Sequence, residues 1–330
     1  MVRPVRNFKY PNQKLNMKNI NEFVYDFKKS NSKFALIIGS GFHQHFLDSS
    51  DSKFNKLKQW TCLLDFIKVK AKASFANSTN SILDFEKIII DYNRIHNTKK
   101  IAYLIENKLL GDIKEEFKQL TNDAELKIKS DVLSIFNHEI VSDVLNLNFD
   151  LIVENKFAEY SLTKNIKKHP KKKDLNKDTD DQYRKINGIR FWHPHGDISN
   201  SQNMVLGLRK YGLQIKKLEK FRNNFKANDE NKIHNFIEKN WMEVIMNKPL
   251  IIIGASLNQN EQDILFAIVN KKRNFIKSDT SDPDLRSYVF QMLGINEKSN
   301  LGELAIPLYP NTRFNDQWKL LINLISKDEK

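Results

Sequence analysis

A glycine-rich turn follows one of the most apolar stretches of the chain. Residues 34–38 read Phe-Ala-Leu-Ile-Ile, and Gly39, Ser40, Gly41 and Phe42 come directly after them. An unbroken apolar run suits a strand buried on both faces, and glycines allow a tight turn and close approach to a ligand. A helix beginning here would direct free N–H groups at an anion, so the turn predicts a phosphate site. The third glycine of the usual dinucleotide fingerprint is missing, and similar turns occur in proteins that bind no nucleotide.

Three further groups of small or polar residues follow apolar stretches later in the chain. They are Asn148-Phe149-Asp150, His195-Gly196 and Gly254-Ala255-Ser256. Each has an ordinary explanation when taken alone, since a histidine in a Pro-Gly loop or an asparagine at a turn is often structural. In an open α/β sheet, however, ligands bind at the carboxyl ends of the strands. The order of the four groups therefore predicts one site at one edge of one sheet.

Strands and helices alternate in the way that builds a mostly parallel sheet with helices on both faces. Apolar runs predict strands at 34–38, 140–147, 188–192, 204–207, 250–253, 288–292 and 305–309. Apolar residues spaced three or four apart predict helices at about 19–29, 213–225, 230–246, 261–270 and 315–325. The predicted fold class is therefore α/β, with a Rossmann-like, mostly parallel sheet.

Two segments depart from this alternation. Residues at about 51–136 show only helical periodicity over a length that exceeds an ordinary crossover, so we predict a helical insertion there. Residues at about 163–185 are rich in Lys and Asp and nearly free of apolar side chains, which predicts a mobile basic segment. Residues 1–30 are predicted to be an N-terminal arm and helix, which leaves 31–330 as one domain.

The composition excludes several classes of protein. Hydrophobic residues make up 40% of the chain, with 22 Phe and only 10 Gly, which fits neither disorder nor a fibrous protein. A single cysteine, Cys62, cannot form an intramolecular disulfide or a multi-thiolate zinc site, and it is typical of a reducing compartment. No apolar run approaches the roughly 18 residues that span a membrane, so we expect a cytoplasmic protein. The net charge of +14 would suit nucleic acid, although the basic residues are spread along the chain.

With these motifs in this order, the chain resembles the sirtuin-like family, and the bacterial NAD-consuming anti-phage effectors more than the protein deacylases. The resemblance covers roughly residues 30–50 and 136–330. The matching segments are Gly39-Ser40-Gly41 for the phosphate turn, Asn148-Phe149-Asp150 for the Asn-x-Asp segment, His195-Gly196 for the His-Gly catalytic loop and Gly254-Ala255-Ser256 for a later nucleotide contact. The resemblance implies NAD bound across the sheet edge, with Asn148, Asp150 and His195 beside the nicotinamide ribose.

The chain also departs from the deacylases of that family. Their zinc module uses four cysteines, whereas this chain has one. Their Ser-Gly-Ile-Pro stretch and arginine are absent after Gly41. We therefore expect NAD to be a substrate, and we expect neither zinc nor acyl-lysine peptide binding.

The residue types suit cleavage of the bond between nicotinamide and ribose. This reaction builds oxocarbenium-like charge on the sugar, as in glycoside hydrolysis. His195, with an unperturbed pKa of about 6.5, could accept a proton from a ribose hydroxyl or from water, and Asn148 could fix the water or sugar. Asp150 could hold the carboxamide or stabilise the positive ring, and His193 is the alternative base. The histidines predicted to be bystanders are His43 and His45.

The sequence thus predicts an NAD glycohydrolase that releases nicotinamide and ADP-ribose. From the resemblance we expect an NAD-depleting effector of bacterial anti-phage defence, activated by self-assembly or by a partner protein encoded nearby. One alternative is a regulatory subunit that holds NAD or ADP-ribose without cleaving it. The other is a basic nucleic-acid-associated protein whose α/β core is only a scaffold.

Overall fold

The predicted α/β, Rossmann-like architecture is confirmed. The computed structural model describes residues 20–29, 32–48, 51–74, 81–96, 102–123, 126–163, 183–224, 238–257, 261–275, 285–293, 299–309 and 312–326. The strands in these ranges are β1 (Phe34–Ile38), β2 (Val141–Asn146), β3 (Tyr183–Ile186), β4 (Ile189–Trp192), β5 (Leu250–Ile253), β6 (Val289–Gln291) and β7 (Ile306–Pro307). They form one seven-stranded sheet in the order β3-β4-β2-β1-β5-β6-β7.

Helices precede, connect and follow these strands. Those before β2 are α1 (Ile20–Lys29), α2 (Ser40–Phe46), α3 (Asn55–Lys58), α4 (Trp60–Ala71), α5 (Ser81–Ile95), α6 (Ala102–Thr121) and α7 (Ser130–Leu133). The later ones are α8 (Ile152–Thr163), α9 (Leu208–Asn224), α10 (Trp241–Asn247), α11 (Gln262–Phe275) and α12 (Phe314–Ser326). In the described ranges, no helix is long and apolar enough to cross a bilayer.

The sheet is parallel except at one edge. β1 pairs in parallel with β2 and β5, β4 joins β2 in parallel, and β6 and β7 continue beyond β5 in the same direction. β3 is antiparallel to β4 and reaches it through the two-residue turn Asn187-Gly188, where both residues have positive φ. The carboxyl ends of β1, β2, β4 and β5 therefore lie side by side. They form the carboxyl edge of the sheet, which runs across the strands and is distinct from the outer strands β3 and β7.

The unbroken apolar runs form strands in the middle of the sheet, because helices cover both faces of the sheet there. All five residues of β1 are buried. Leu36 and Ile38 pack into the core on one face of the sheet, whereas Ala35 and Ile37 pack into the core on the other. Alternating side chains of one strand thus join two helical layers to the sheet.

The helices between β1 and β2 occupy the region predicted as a helical insertion. Their buried residues, including Leu63, Phe85 and Phe117, belong to the same apolar core as one face of the sheet. The insertion is therefore fused to the sheet by side-chain packing. Its treatment as a separate subdomain stays a prediction, as do the other domain boundaries.

One predicted strand is wrong, and other local predictions fall partly outside the described residues. The predicted strand at 204–207 is not a strand, because the Val205 N–H donates to the His195 carbonyl at 2.7 Å rather than to a neighbouring strand. The predicted mobile segment at 163–185 begins on the last residue of α8 and ends inside β3, and residues 164–182 lie outside the described ranges. The N-terminal arm at 1–19, residue 225 of the predicted 213–225 helix and residues 230–237 of the predicted 230–246 helix also lie outside them.

Candidate functional site

Five of the predicted site residues line one cavity at the carboxyl edge of the sheet. The cavity measures about 120 Å³. The five residues are Ser40 after β1, Asn148 and Asp150 after β2, His195 after β4, and Ser256 after β5. The remaining wall comes largely from α3, α4 and α6 of the region between β1 and β2.

The Asn148 amide is held by a ring of hydrogen bonds that are partly or fully buried. Its Nδ2 donates to Asn146 Oδ1 at 3.0 Å, and its backbone N–H donates to the same oxygen at 3.1 Å. Asn146 Nδ2 donates to Glu154 Oε1 at 3.3 Å, and His193 Nε2 donates to that carboxylate oxygen at 2.7 Å. His193 Nδ1 lies 3.2 Å from the Asn148 carbonyl oxygen, which closes the ring. Asn148 thus has a defined amide orientation at the cavity.

His193 is engaged in this ring and does not line the cavity. Burial disfavours its charged form, but the Glu154 carboxylate outweighs burial and raises the pKa of His193 above its usual value. Burial likewise opposes the charge of Glu154, yet His193 lowers the pKa of that carboxyl group. The two therefore form a buried imidazolium–carboxylate pair. This arrangement favours a positioning role for His193 over the alternative role of base.

His195 is paired with a carboxylate that sequence reasoning missed. Its Nε2 lies 3.1 Å from both carboxylate oxygens of Asp263, which is fully buried in the first turn of α11. Burial opposes the charge on His195, but Asp263 outweighs it, and Glu261 and the Leu147 carbonyl assist, so the pKa of His195 is raised. Since Nε2 donates to Asp263, Nδ1 is the nitrogen left to accept a proton.

Asp150 is fully buried beside His43. Asp150 Oδ1 accepts a hydrogen bond from the Ile152 N–H at 3.0 Å, at the start of α8. Burial raises the pKa of Asp150, although His43 acts in the opposite direction. His43 Nε2 lies 3.5 Å from Asp150 Oδ1 without forming a hydrogen bond, and its Nδ1 lies 3.2 Å from the Leu57 carbonyl.

His43 and His45, the two histidines that follow the phosphate turn, have different surroundings. His43 links α2, Asp150 and the inserted helices and does not line the cavity, so its place outside the chemistry stays a prediction. His45 stacks on Phe314 with ring centroids 4.1 Å apart and does not line the cavity.

The two glycine-rich turns pack against each other. A side chain on Gly39 or Gly41 would come within 2.6 or 2.8 Å of the Gly254 backbone, and one on Gly254 would overlap the Phe42 nitrogen. The Gly41 N–H donates to the Gly254 carbonyl at 2.9 Å, and the Phe42 N–H donates to the Gly39 carbonyl at 2.9 Å. These two N–H groups are therefore not free for a phosphate.

Three other predicted binding residues also serve packing. Phe42 was predicted to bind the cofactor, but its ring does not line the cavity. The ring is buried, and its centroid lies 4.9 Å from that of Phe46 and 5.9 Å from that of Trp318. Ala255 is buried, and its carbonyl accepts a hydrogen bond from the Gln291 side chain. Gly196 has a φ of 76°, and a side chain there would overlap the Asn203 carbonyl. Direct ligand contact by these residues stays a prediction.

Signals for the missed residues exist in the sequence. Asp263 stands directly before the apolar face formed by Ile264, Ala267 and Ile268, and Glu154 follows Ile152 and Val153. A carboxylate within the buried face of a helix requires a partner, because burying an unpaired charge is costly. Each could have been assigned to a buried polar site on that ground.

A parallel sheet with polar side chains gathered at the carboxyl ends of its central strands is the arrangement in which open α/β proteins bind their ligands. Consistent with that class, residues 142–293 match the family model of the SIR2-like domain, whose members bind NAD and are often NAD-dependent enzymes. The matched range runs from β2 to just beyond β6 and includes Asn148, His195 and Asp263, and it supports the sirtuin-like resemblance. No curated protein matches the chain.

The part of the chain that the structure describes holds no cluster of three or more His, Cys, Asp or Glu residues suited to a metal ion. The absence of zinc stays a prediction.

Proposed function

We propose that this chain is an NAD glycohydrolase that releases nicotinamide and ADP-ribose. The observation that carries the proposal is the meeting of Asn148 and the Asp263-bound His195 at one cavity, within the range that matches the SIR2-like domain. Both residues lie where an open α/β sheet binds its ligand.

The reaction requires three things of the site. The bond between the nicotinamide nitrogen and ribose C1′ breaks, and its electron pair leaves with nicotinamide, which becomes neutral. Positive charge then develops on the ribose, as in other glycoside cleavage. A water oxygen bonds to C1′ and loses a proton, so the site needs a positioned polar group, a base and a means to stabilise positive charge.

His195 fits the part of the base. Its Nδ1 can accept the proton of the attacking water while Nε2 keeps its bond to Asp263. The Asp263 carboxylate then stabilises the imidazolium that forms, as the carboxylate of a catalytic triad does. The Leu147 carbonyl also favours the protonated ring.

Asn148 can act as the positioned polar group, and Asp150 can stabilise the positive charge. Because Asn148 Nδ2 is bound to Asn146, the amide cannot rotate freely, and its remaining polar groups can fix water or a ribose hydroxyl without adding charge. Asp150 would hold the carboxamide or stabilise the positive ring. Ser40 and Ser256, on opposite turns of the same cavity, supply hydroxyl groups for the rest of the dinucleotide.

We further propose, from the resemblance, that NAD depletion serves bacterial anti-phage defence. An enzyme that empties the NAD pool is toxic to its own cell, so its activity requires control by self-assembly or by a partner that senses infection. The inserted helices offer apolar faces for such contacts, because Ile90, Leu83 and Val69 are exposed.

The test is to follow nicotinamide release from NAD with the purified chain. We expect Asn148→Ala and His195→Ala each to lower the rate by about 100- to 10,000-fold, because a base or a positioned water contributes that much. His45→Ala is the matched control, since His45 is exposed and lies outside the cavity. Circular dichroism checks folding, and NAD binding should fall less than turnover.

Three outcomes would contradict the assignment. Normal turnover in His195→Ala together with an inactive His193→Ala would show that the wrong histidine was chosen. NAD binding without any nicotinamide release, with or without candidate partners, would favour the regulatory subunit. Absence of NAD binding together with salt-sensitive nucleic-acid binding would favour the basic scaffold protein.

A further inference from the structure

A histidine–carboxylate pair that the proposed reaction does not use lies behind the cavity. It consists of His43 on α2 and Asp150 after β2, and both side chains are buried. His43 Nε2 lies 3.5 Å from Asp150 Oδ1. Asp150 lines the cavity, whereas His43 does not. Any effect of His43 on a ligand must therefore pass through Asp150.

The other side of the His43 ring fixes which nitrogen carries a proton. Nδ1 lies 3.2 Å from the backbone carbonyl oxygen of Leu57 in α3. A carbonyl oxygen can only accept a hydrogen bond, so Nδ1 is protonated and donates. The next side chain makes a similar contact, because Gln44 Nε2 donates to the Lys58 carbonyl at 2.7 Å. The carbonyl groups at the end of α3 thus hold the His43 ring in one orientation.

With Nδ1 protonated, the state of Nε2 decides the charge of the pair. A neutral ring would present the lone pair of Nε2 to Asp150 Oδ1, and a carboxylate there would repel it. Nε2 has no hydrogen-bond partner among the described residues that would offset this repulsion. Two buried acceptors that face each other are costly, so one of the two groups holds a further proton. Imidazole is ordinarily a stronger base than a carboxylate, which places that proton on the histidine.

The remaining charged groups near Asp150 oppose each other. Glu154 on α8 disfavours charge on Asp150 and His193 after β4 favours it, and the two are paired, with Nε2 2.7 Å from Oε1. Burial raises the pKa of Asp150. His43 opposes burial more than any other group does, followed by the N–H of Ile152, which donates to Oδ1 at 3.0 Å. His43 is thus the main support for a charged Asp150.

We infer that His43 is a positioning residue for Asp150, and that it carries the proton of the pair so that Asp150 faces the cavity as a carboxylate. This inference rests on the proposed function, because holding the carboxamide and stabilising the positive ring both need an ionised acceptor. The contacts with His43 and Ile152 use Oδ1, which leaves Oδ2 for the ligand. Through Leu57, α3 takes part in fixing this carboxylate.

The first test follows the pair by NMR titration of the full, isotope-labelled chain. At about pH 6, just below the ordinary pKa of imidazole, we expect nitrogen shifts that report protons on both ring nitrogens of His43 and a carboxyl shift that reports an ionised Asp150. His43→Asn keeps a donor for the Leu57 carbonyl but cannot carry a charge. In that variant the pKa of Asp150 should rise, so its carboxyl group should be neutral at pH values where the natural protein has it ionised.

His45→Asn is the matched control. His45 lies on the same helix, but it is exposed and stacks on Phe314, so its substitution should leave the pKa of Asp150 unchanged. Circular dichroism and thermal midpoints check folding. If His43→Asn does not fold, the natural protein still decides the matter. Shifts that place the only proton of His43 on Nε2, or a protonated Asp150 beside a neutral His43, would overturn the inference.

The second test uses the pH dependence of nicotinamide release. At about pH 6 we expect kcat/KM of His43→Asn to fall at least about 10-fold below that of the natural protein, because far fewer molecules carry an ionised Asp150. The deficit should shrink as the pH rises and Asp150 ionises. A purely structural defect would not be repaired in this way, so a loss of the same size at every pH, or no loss, would overturn the positioning role.

The two tests separate this inference from the proposed function. An Asp150 pKa that rises in His43→Asn, in a chain that releases no nicotinamide, would support the role of His43 and contradict the glycohydrolase proposal alone. Nicotinamide release together with an Asp150 pKa that is unchanged in folded His43→Asn would overturn the role of His43 and leave the proposed function standing.

Discussion

Asp263 makes His195 a stronger base than an isolated histidine, because its carboxylate raises the pKa of the imidazole. A base must be neutral to accept a proton, so hydrolysis should increase as the pH rises through that raised pKa. Asp263→Asn removes the negative charge and lowers the pKa of His195. We expect the rising limb of kcat/KM against pH to move to lower pH, with a lower maximal rate.

Glu154→Gln provides the control for this prediction. It removes a buried carboxylate that pairs with His193 rather than with His195. The maximal rate can fall in that variant because the Asn148 ring is disturbed, but the limb should stay where it is. A limb that moves with Glu154→Gln and not with Asp263→Asn would show that His193 is the titrating group.

The sequence could identify residues that directly follow strands, but not their distant partners. Asn148, Asp150 and His195 stand at predicted strand ends, and they do share a cavity. Asp263 is 68 residues from His195, and their contact depends on how α11 packs on the sheet.

The contact between the β1 and β5 turns requires glycine. Gly254 has a φ of 62°, and an added side chain would overlap the backbone of Gly41 and Phe42. We expect Gly254→Ala to lower the free energy of unfolding by more than about 2 kcal/mol, because backbone cannot move aside cheaply. Urea denaturation followed by circular dichroism measures the effect, and a variant that fails to fold agrees with it.

Gly111→Ala is the control for this substitution. Gly111 lies within α6, and an added side chain would meet no atom within 4 Å. Alanine there should stabilise the protein by roughly 0.5–1 kcal/mol, since glycine is a poor helix former. Equal stabilities for Gly254→Ala and the natural protein would contradict the packing argument.

The success of the strand predictions depended on burial. β1 and β5 are recognisable because strands covered on both faces are apolar throughout. Residues 204–206 are equally apolar, but their hydrophobicity reflects packing in the core and not pairing in a sheet. β3 was not predicted because its residues Arg184 and Lys185 continue the basic segment and give no apolar run. The turn Asn187-Gly188 is nevertheless a strong hairpin signal.

We expect the NAD-hydrolysing activity to be controlled by association of the chain with other copies or with a partner. We expect the isolated chain to hydrolyse NAD weakly and an assembled or partner-bound form to hydrolyse it faster, because binding can shift the chain toward an active state only through differential affinity. The measurement is NAD turnover together with molecular mass across protein concentration, with and without candidate partners. Full turnover by a dilute monomer would rule this out.

The order of elements along the chain was predictable, but the way the insertion meets the sheet was not. Helical periodicity at 51–136 correctly indicated helices, because each has one apolar face. Periodicity does not say what that face contacts. In the structure the contact is the sheet itself, so the insertion contributes both to the core and to the cavity wall.

The two edges of the sheet restrict how copies of this chain could join. On one side β3 presents the charged side chains Arg184 and Lys185, and on the other β7 consists of two residues and ends at the exposed Pro307, which has no N–H to offer. Short, charged or proline-containing edges are poor templates for strand addition. Any filament or ring that these chains build should therefore be joined through helices, and its subunits should come apart without unravelling a shared sheet.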